Sequence, residues 1–560
     1  MRIAAERGRP QRIEPGFLAV VVLATVAAFG LRIPFLKVRA FDADEFQHLH
    51  GAYCLAHGML PYRDYFDHHT PWLHLLLSVM LSLFGESVAT VFKARWLMLV
   101  FAGAMVGLTF WLGTLLRDRL TGAVAALLLS YTTIFVEKSL EIRPDTAAAA
   151  LWLFALGGVI KGFRSDRRGW HFAAGLALGA AVMFTQKALF AAAGLALAFV
   201  WTAFDRRTGI RVSKVVRAAG MLIAGAALPI GATVLFFWTQ GALAQFIDFN
   251  FRLNARWKQA IPVSRFLFQY VNANAYSATL GVAGLALASA RMLRRAGVRE
   301  ASCVPLIACW VVAGGLYVIP VPYRQYYLFL PLLSIFAASL LMTAFGSRED
   351  QPPELRRLAM LLVTASVIWS FQVTVSSPFI PERHGQISVW IAALGSIAVG
   401  WFVWYRWPAR LERLVTFRHY ALLCVLPALL MLPSQRIVAG GLRWTNRTQI
   451  ERLRYLMDRS RPTDAVLDGF TGYGTFRPHA YFYYFLLPEL RAMLTERQLG
   501  DDVVRALETE RTRFVIWDAY VLALRPEVQE YIKTHYRPTG EGEIYERRGK
   551  WSDSSGRVSR

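Results

Sequence analysis

From Gly16 to about residue 434 the chain alternates long apolar stretches with short polar ones. The apolar stretches run for roughly 15–22 residues without charge, enough to cross ~30 Å of hydrocarbon as helix. They predict spans at 16–37, 88–116, 120–136, 146–160, 171–186, 188–204, 218–239, 272–290, 302–320, 327–345, 358–377, 388–405 and 419–434. Drawn as one helix, 171–204 would be about 51 Å long, far more than a bilayer core, so it reads as two spans turning near Lys187.

Two further stretches are helical in pattern but too short to cross. Pro71–Phe84 is apolar throughout, and in Glu45–Leu60 the residues Leu49, Ala52, Tyr53, Ala56 and Leu60 recur at three- and four-residue steps, with Gly58 as a stop signal. The expectation is a pair of helices lying along the outer membrane surface. From about Gln435 the pattern becomes that of a soluble domain. Asn446–Arg459, 495–510 and 526–536 read as helices; Ala465–Leu467, Phe514–Trp517 and Glu543–Glu546 read as short strands. The aromatic run Tyr481–Phe485 reads as core or membrane-surface packing rather than as a ligand stack. The expected fold is therefore an α-helical polytopic membrane protein of about 13 transmembrane helices, residues 1–434, with a first outer loop at 38–87. A small C-terminal α/β domain, 435–560, follows outside the cytoplasm.

Charge fixes the expected direction. The net charge of +24 would suit nucleic acid, but the basic residues sit in short loops between spans, the pattern that orients membrane proteins. With a cytoplasmic N-terminus, Arg117–Arg119, Lys161–Arg168, Arg206–Arg217, Arg291–Arg299, Arg348–Arg357 and Arg406–Arg418 become inside loops. Nucleic acid is thus excluded as a partner; the high Arg and Ala content fits a high-GC bacterium, whose cytoplasmic (inner) membrane is the expected location. Met1–Pro15 carries several arginines before an apolar segment without a small-residue cleavage site, so an uncleaved first span is expected. Cys54, Cys303, Cys309 and Cys424 show no metal-ligand spacing and predict no disulfide framework.

In this topology the unusual polar groups collect at one face. Phe41-Asp-Ala-Asp-Glu-Phe46 and Arg63-Asp-Tyr-Phe-Asp-His-His-Thr-Pro71 crowd carboxylates and histidines into the first outer loop. Carboxylates are costly next to hydrocarbon and mark a functional-site candidate. Arg143-Pro-Asp145, Lys187, the Arg252, Arg256 and Lys258 group, and Arg324-Gln-Tyr-Tyr327 fall in the following outer turns. A carboxylate can serve as general base toward a hydroxyl, and lysine or arginine can neutralise phosphate oxygens on a leaving group. Structural roles compete for each group. Asp42 or Asp44 could cap the first surface helix, Arg143 and Asp145 could be an ion pair, and Lys187 could snorkel to the interface. Arg324 and its tyrosines could belong to an aromatic belt. His68 and His69 could make surface hydrogen bonds instead of ligating metal.

These motifs, in this order, resemble the GT-C membrane glycosyltransferases that use polyprenyl-phosphate sugars. The branch resembled includes protein O-mannosyltransferases (glycosyltransferase family 39-like), the lipid A aminoarabinose transferase and rhizobial lipopolysaccharide galacturonosyltransferases. The first-loop Asp-Glu pair matches Asp44-Glu45. The second acidic element matches Tyr65-Phe66-Asp67 and Pro71, with His68-His69-Thr70 in place of a shorter link. Arg143-Pro-Asp145 resembles the Arg-x-Asp after span three. Gly175-Leu-Ala-Leu-Gly179 and Lys187 resemble the Gly-rich run to a lysine, with Ala188 where glycine is common. Arg324 to Pro331 resembles the basic–Tyr–Leu–Pro element.

The resemblance implies an inverting transfer from a polyprenyl-phosphate-linked sugar to a lipid, glycan or protein acceptor outside the cytoplasm, within membrane lipids. In it Asp44 is the base and Asp67 orients Asp44 or the acceptor. Glu45 belongs to the catalytic group and, with Asp145, is a candidate ligand for a divalent cation. Lys187, Arg324, Arg143, Tyr326 and Tyr327 hold the donor phosphate. A transporter or flippase, which would want ionisable groups at mid-membrane or paired broken helices, and a scaffold with a wall-binding outer domain remain as alternatives.

Overall fold

The structure, a computed structural model, describes residues 15–30, 32–205, 209–257, 262–293, 303–319, 321–345, 352–376 and 443–549. Each predicted span from 16–37 to 358–377 meets a helix; the spans 388–405 and 419–434, with the boundary near 435, lie outside the described residues. The first helices are α1 (Pro15–Gly30), α2 (Arg32–Val38), α3 (Ala43–Ala56), α4 (Trp72–Phe84), α5 (Val88–Leu116) and α6 (Arg119–Tyr131). They are followed by α7 (Thr133–Lys138), α8 (Pro144–Ser165), α9 (Arg168–Phe184), α10 (Ala188–Phe204) and α11 (Val212–Thr239). Ala19–Val38, α5, α8 and α11 are long and apolar enough to cross a membrane. Large apolar side chains such as Val100, Phe204, Ile223, Leu235 and Trp238 point outward, as a lipid-facing surface requires. The protein is a polytopic membrane protein.

Two spans are interrupted where they approach the polar end of the bundle. The predicted 120–136 span breaks at Thr132, whose backbone is extended, so that α7 leaves α6 at a new angle. The break frees a backbone N–H in the apolar interior, and Asn274 Oδ1 accepts it from Ile134 at 3.2 Å. The predicted 327–345 span instead starts as a 3₁₀ turn, Arg324–Phe329, before the helix Leu332–Phe345. Elsewhere close backbone approach sets the geometry. A Cβ on Gly175 would stand 2.1 Å from the Leu222 carbonyl oxygen, and one on Gly179 would stand 2.5 Å from that of Ala226. The Gly-rich run is thus the face on which α9 and α11 touch, and this contact fixes where the α9–α10 turn and Lys187 emerge.

Of the two short segments expected at the outer surface, α4 exposes an apolar face, with Leu75, Val79, Leu83 and Phe84 outward. α3 instead is buried from Glu45 to Cys54, where the C-terminal domain covers it. Phe66 N–H donates to the Phe482 carbonyl at 3.0 Å, Phe41 and Gln449 exchange two hydrogen bonds, and a Cβ on Gly472 would meet Phe46 at 2.1 Å. The run Tyr481–Phe485 is part of this packing, with Tyr481, Tyr484 and Phe485 buried.

The domain carries the helices Arg447–Arg459, Asp501–Thr509 and Pro526–His535 around a mixed sheet. Its strands are β1 (Val466–Leu467), β2 (Phe514–Ile516), β3 (Tyr536–Pro538) and β4 (Ile544–Arg547), in the order β1-β2-β4-β3. β1 and β2 are parallel and the other pairs antiparallel. β3 starts at the predicted end of the 526–536 helix: the helix stops at His535, and Tyr536–Pro538 pairs with β4 instead.

Candidate active site

A cavity of about 550 Å³ opens where α3, the loop before α4, the α7–α8 turn, the α9–α10 turn and the 3₁₀ turn meet the C-terminal domain. Asp42, Asp44, His48, His68, His69, Lys138, Arg143, Asp145, Lys187, Arg324 and Tyr326 supply its polar wall. Phe190, Phe266, Ile319 and Val321 supply an apolar side. Groups from four well-separated turns thus share one chamber that is polar at one side and apolar at the other.

The acidic motif divides its work. Asp42 is the N-cap of α3: its Oδ1 accepts the Asp44 N–H at 3.1 Å, and Glu45 returns a bond to the Asp42 N–H at 2.9 Å, a reciprocal capping box. Burial would raise the Asp42 carboxyl, and Arg143 and Lys138 outweigh this and hold it below the ordinary carboxylate range. Asp44, one position into the helix, faces the cavity and accepts from Arg143 Nη1 at 2.5 Å. Glu45 points the other way. It is fully buried, takes a bidentate pair from Arg95 at 2.6 and 2.8 Å, and accepts the Ile142 N–H at 3.1 Å. The expectation that Glu45 is catalytic or ligates a cation is therefore corrected: both its oxygens are taken and it does not reach the cavity.

Arg143, expected at the donor phosphate, turns each guanidinium nitrogen to a carboxylate instead. Nε reaches Glu141 at 2.7 Å, Nη2 reaches Asp42 at 2.9 Å and Nη1 reaches Asp44. Asp145 is not its ion-pair partner. Asp145 Oδ1 accepts from Lys187 Nζ at 2.7 Å, which leaves it poorly placed as a metal ligand, contrary to the expectation. Lys187 also sits 3.6 Å above the Tyr326 ring, a cation–π contact. Burial lowers the Lys187 ammonium from its usual value, with Asp145 opposing. Arg324 lines the same cavity and donates to Glu137 at 2.6 Å.

Tyr327 does not join them. Its ring stacks on Tyr270 at 4.3 Å, in the core beside the cavity, because a 3₁₀ turn sends successive side chains about 120° apart. Arg252 and Arg256 are exposed outside the cavity, Arg252 paired with Asp248, and Lys258 lies outside the described residues.

Asp67 does not touch Asp44, so it cannot orient it directly. Its Oδ1 accepts from the backbone N–H groups of His68 (2.6 Å) and His69 (2.8 Å) and from His69 Nδ1 (3.0 Å). Its Oδ2 lies 3.2 Å from His74 Nδ1, and His74 Nε2 is 2.9 Å from His48 Nδ1. A continuous polar line thus runs from buried Asp67 through His74 to His48 at the cavity wall. Burial would raise the Asp67 carboxyl, and His74 and His69 hold it below its ordinary value; burial pushes His48 and His68 well below theirs, leaving them neutral. Asp67, His68 and His69 together form one of the groups among the described residues whose spacing could admit a metal ion, although Oδ1 already carries three N–H donors.

Several site groups were missed by the sequence reading. Lys138 lines the cavity, 2.8 Å from Glu141 and 3.6 Å from Asp42; the signal was the charged run from Glu137 to Arg143 directly after a span. Gln47 and Gln186 also line it, and Gln47 Nε2 and Gln186 Oε1 are buried polar atoms without a partner among the described residues. Trp257 stacks on His68 at 4.7 Å. From the C-terminal domain come Glu489, which accepts from Tyr323 at 3.1 Å, and Tyr520.

Comparison with known proteins places this geometry. Residues 68–231 match the family model described as dolichyl-phosphate-mannose-protein mannosyltransferase. No curated protein matches by sequence. Among solved structures, ArnT from Cupriavidus metallidurans bound to undecaprenyl phosphate is similar with a TM-score of 0.51 at 14% identity, covering 83% of this chain and 86% of that one. The oligosaccharyltransferase of Archaeoglobus fulgidus in the apo form is similar with a TM-score of 0.52 at 12% identity, covering 93% and 73%. The fold is that of the GT-C membrane glycosyltransferases.

Proposed function

We propose that the protein is an integral-membrane glycosyltransferase that moves a sugar from a polyprenyl-phosphate carrier to a hydroxyl of an extracytoplasmic lipid, glycan or protein, inverting the anomeric carbon. The observation that carries this reading is the juxtaposition in one cavity of a carboxylate, Asp44, with two cations and a tyrosine, Lys187, Arg324 and Tyr326. The apolar side of the same cavity suits a lipid-borne donor. The fold, the matched segment and the undecaprenyl phosphate bound to ArnT support the same class. A transporter would place its ionisable groups at mid-membrane, whereas the charges lining this cavity sit at helix ends and in turns.

Asp44 accepts the proton of the acceptor hydroxyl as its oxygen attacks the anomeric carbon. The bond from that carbon to the phosphate oxygen breaks, and the lipid phosphate departs as an anion. Lys187 and Arg324 stabilise the departing charge and Tyr326 donates a hydrogen bond to it. Arg143, held by Asp42 and Glu141, fixes the Asp44 carboxylate. Asp67 acts at a distance, setting the orientation of His74 and through it His48, which lines the cavity. A divalent cation would be held at Asp67, His68 and His69, whose possible ligand atoms lie within 4.8 Å of one another, through Asp67 Oδ2 and in place of the His69 Nδ1 hydrogen bond to Oδ1.

Transfer from a radiolabelled polyprenyl-phosphate sugar in detergent tests the class directly. In that assay Lys187→Gln, which keeps a donor toward Asp145, and Arg324→Ala should each raise the KM for donor about ten-fold or more, the scale of a lost charge-assisted hydrogen bond. Unchanged donor dependence in both would move the phosphate elsewhere. The proposed orientation has a cytoplasmic N-terminus in the inner membrane and the C-terminal domain in the periplasm. It predicts an active phosphatase reporter fused after residue 440; a silent reporter there would invert it.

A further inference from the structure

His48 and His50 are two residues apart on α3, so they point to nearly opposite sides of the helix. His48 faces the cavity, while His50 shares the far face with Cys54, one turn on, and that face meets the C-terminal domain at His479. His50 Nε2 lies 3.1 Å from His479 Nδ1, and Cys54 Sγ lies 3.5 Å from the first and 3.7 Å from the second. None of the three lines the cavity. A tetrahedral zinc ion with Zn–N near 2.0–2.1 Å and Zn–S near 2.3 Å sets N···N at about 3.3 Å and N···S at about 3.6 Å. The triangle in the protein already has that shape.

The proton pattern makes the same point independently. His50 Nδ1 is 3.0 Å from the Thr475 carbonyl oxygen, and His479 Nε2 is 3.4 Å from that of Asp64. A carbonyl oxygen only accepts, so both of these nitrogens carry the ring proton. The two nitrogens that face each other, His50 Nε2 and His479 Nδ1, are then both lone-pair bearing. Neither can donate to the other, and a single thiol hydrogen cannot serve both. A shared Lewis acid resolves the arrangement, and backbone carbonyls holding the outer ring N–H groups are how protein metal sites orient histidine ligands. The surroundings are closed by the rings of Tyr53 and Tyr484, 5.8 and 4.4 Å from His50, and the buried Tyr484 hydroxyl has no partner among the described residues.

We propose that His50 Nε2, His479 Nδ1 and Cys54 Sγ bind a zinc ion that clamps the C-terminal domain onto α3, on the side away from the reaction cavity. Binding forms two Zn–N bonds and one Zn–S bond, leaves a water molecule in the fourth tetrahedral position and releases the thiol proton of Cys54 to solvent; a mixed thiolate–imidazole set of this kind favours zinc. Because α3 carries Asp44 at its start, the clamp ties the seating of the catalytic helix to the docking of the domain. This site does not depend on the glycosyltransferase assignment, and its test reads metal and not transfer.

The full-length protein, purified in detergent through a tag free of histidine, should retain about one zinc per chain by elemental analysis. Cys54→Ser and His479→Ala should each retain at least ten-fold less. Replacement by Co²⁺ should give a sulfur-to-cobalt charge-transfer band in the wild type that Zn²⁺ displaces and that Cys54→Ser lacks. Chelation should lower the unfolding temperature of the wild type by about 5 °C and leave that of Cys54→Ser unmoved. If a variant fails to fold, the cobalt spectrum and its displacement by zinc in the wild type still decide. Absence of bound zinc after equilibration in zinc buffer, copper in its place, or equal zinc in wild type and a folded Cys54→Ser would overturn the proposal.

Discussion

Replacing Asp44 by asparagine is expected to slow sugar transfer about 10²–10⁴-fold, the usual scale for losing a general base, while leaving the fold in place. The second half of that expectation comes from the packing. Arg143 loses one carboxylate but keeps Asp42 at 2.9 Å and Glu141 at 2.7 Å, so no buried cation is stranded. The helix start is also preserved, because the cap belongs to Asp42, which holds the Asp44 backbone N–H rather than its side chain. Initial rates at saturating donor and an unfolding curve for the same preparation measure both halves. Asp42→Asn is the internal control. Asparagine is a good N-cap, so this variant should keep activity within a few-fold. If the two substitutions behave alike, the acidic pair merely steadies Arg143, and the base must be sought elsewhere, with His48 the next group at the wall. Retention of more than half the wild-type rate by Asp44→Asn removes it from the mechanism.

The contrast between neighbouring carboxylates shows where the sequence is legible and where it stops. The spans could be read because a bilayer imposes one length and demands internal hydrogen bonding, so apolar runs and their charged punctuation carry most of the information. The turn at Lys187 followed from length together with the basic residues of 206–217, which a single span would have put outside. The break at Thr132 could not be read, because its compensation comes from Asn274 in a different helix. Asp44 and Glu45 are adjacent in sequence but about 100° apart around α3; which of them faced a cavity depended on where Arg95 lay. Arg95 was the available clue, since a cation inside an apolar run needs a partner. Tyr326 and Tyr327 diverge for the same angular reason. The contributions of Glu489, Tyr520 and His479 were out of reach, because nothing local records that the C-terminal domain folds back over α3. Cys54 shows the limit most plainly: His50 and Cys54 stand one turn apart on a helix, half of a ligand set, and the third member is 425 residues further on.

Glu45→Ala is expected to be the most destabilising substitution in the acidic motif, at about 3–5 kcal/mol, because it strands a buried guanidinium. Arg95 and Glu45 are 2% and 0% exposed, and the pair is bidentate. Arg95 would keep its bonds to the carbonyls of Leu36, Arg39 and Ala40 but lose the only countercharge that touches it among the described residues. The capping box and the Ile142 N–H would lose an acceptor at the same time, loosening α3 from the α7–α8 turn that carries Arg143. Activity should fall in step with the folded fraction. A double-mutant cycle with Arg95→Ala separates this from a chemical role: if the pair is structural, the double variant is less destabilised than the sum of the single ones, since no charge is then left alone. A Glu45→Ala protein that unfolds at the wild-type temperature and yet fails to transfer sugar would return Glu45 to the chemistry and require the cavity to reach it.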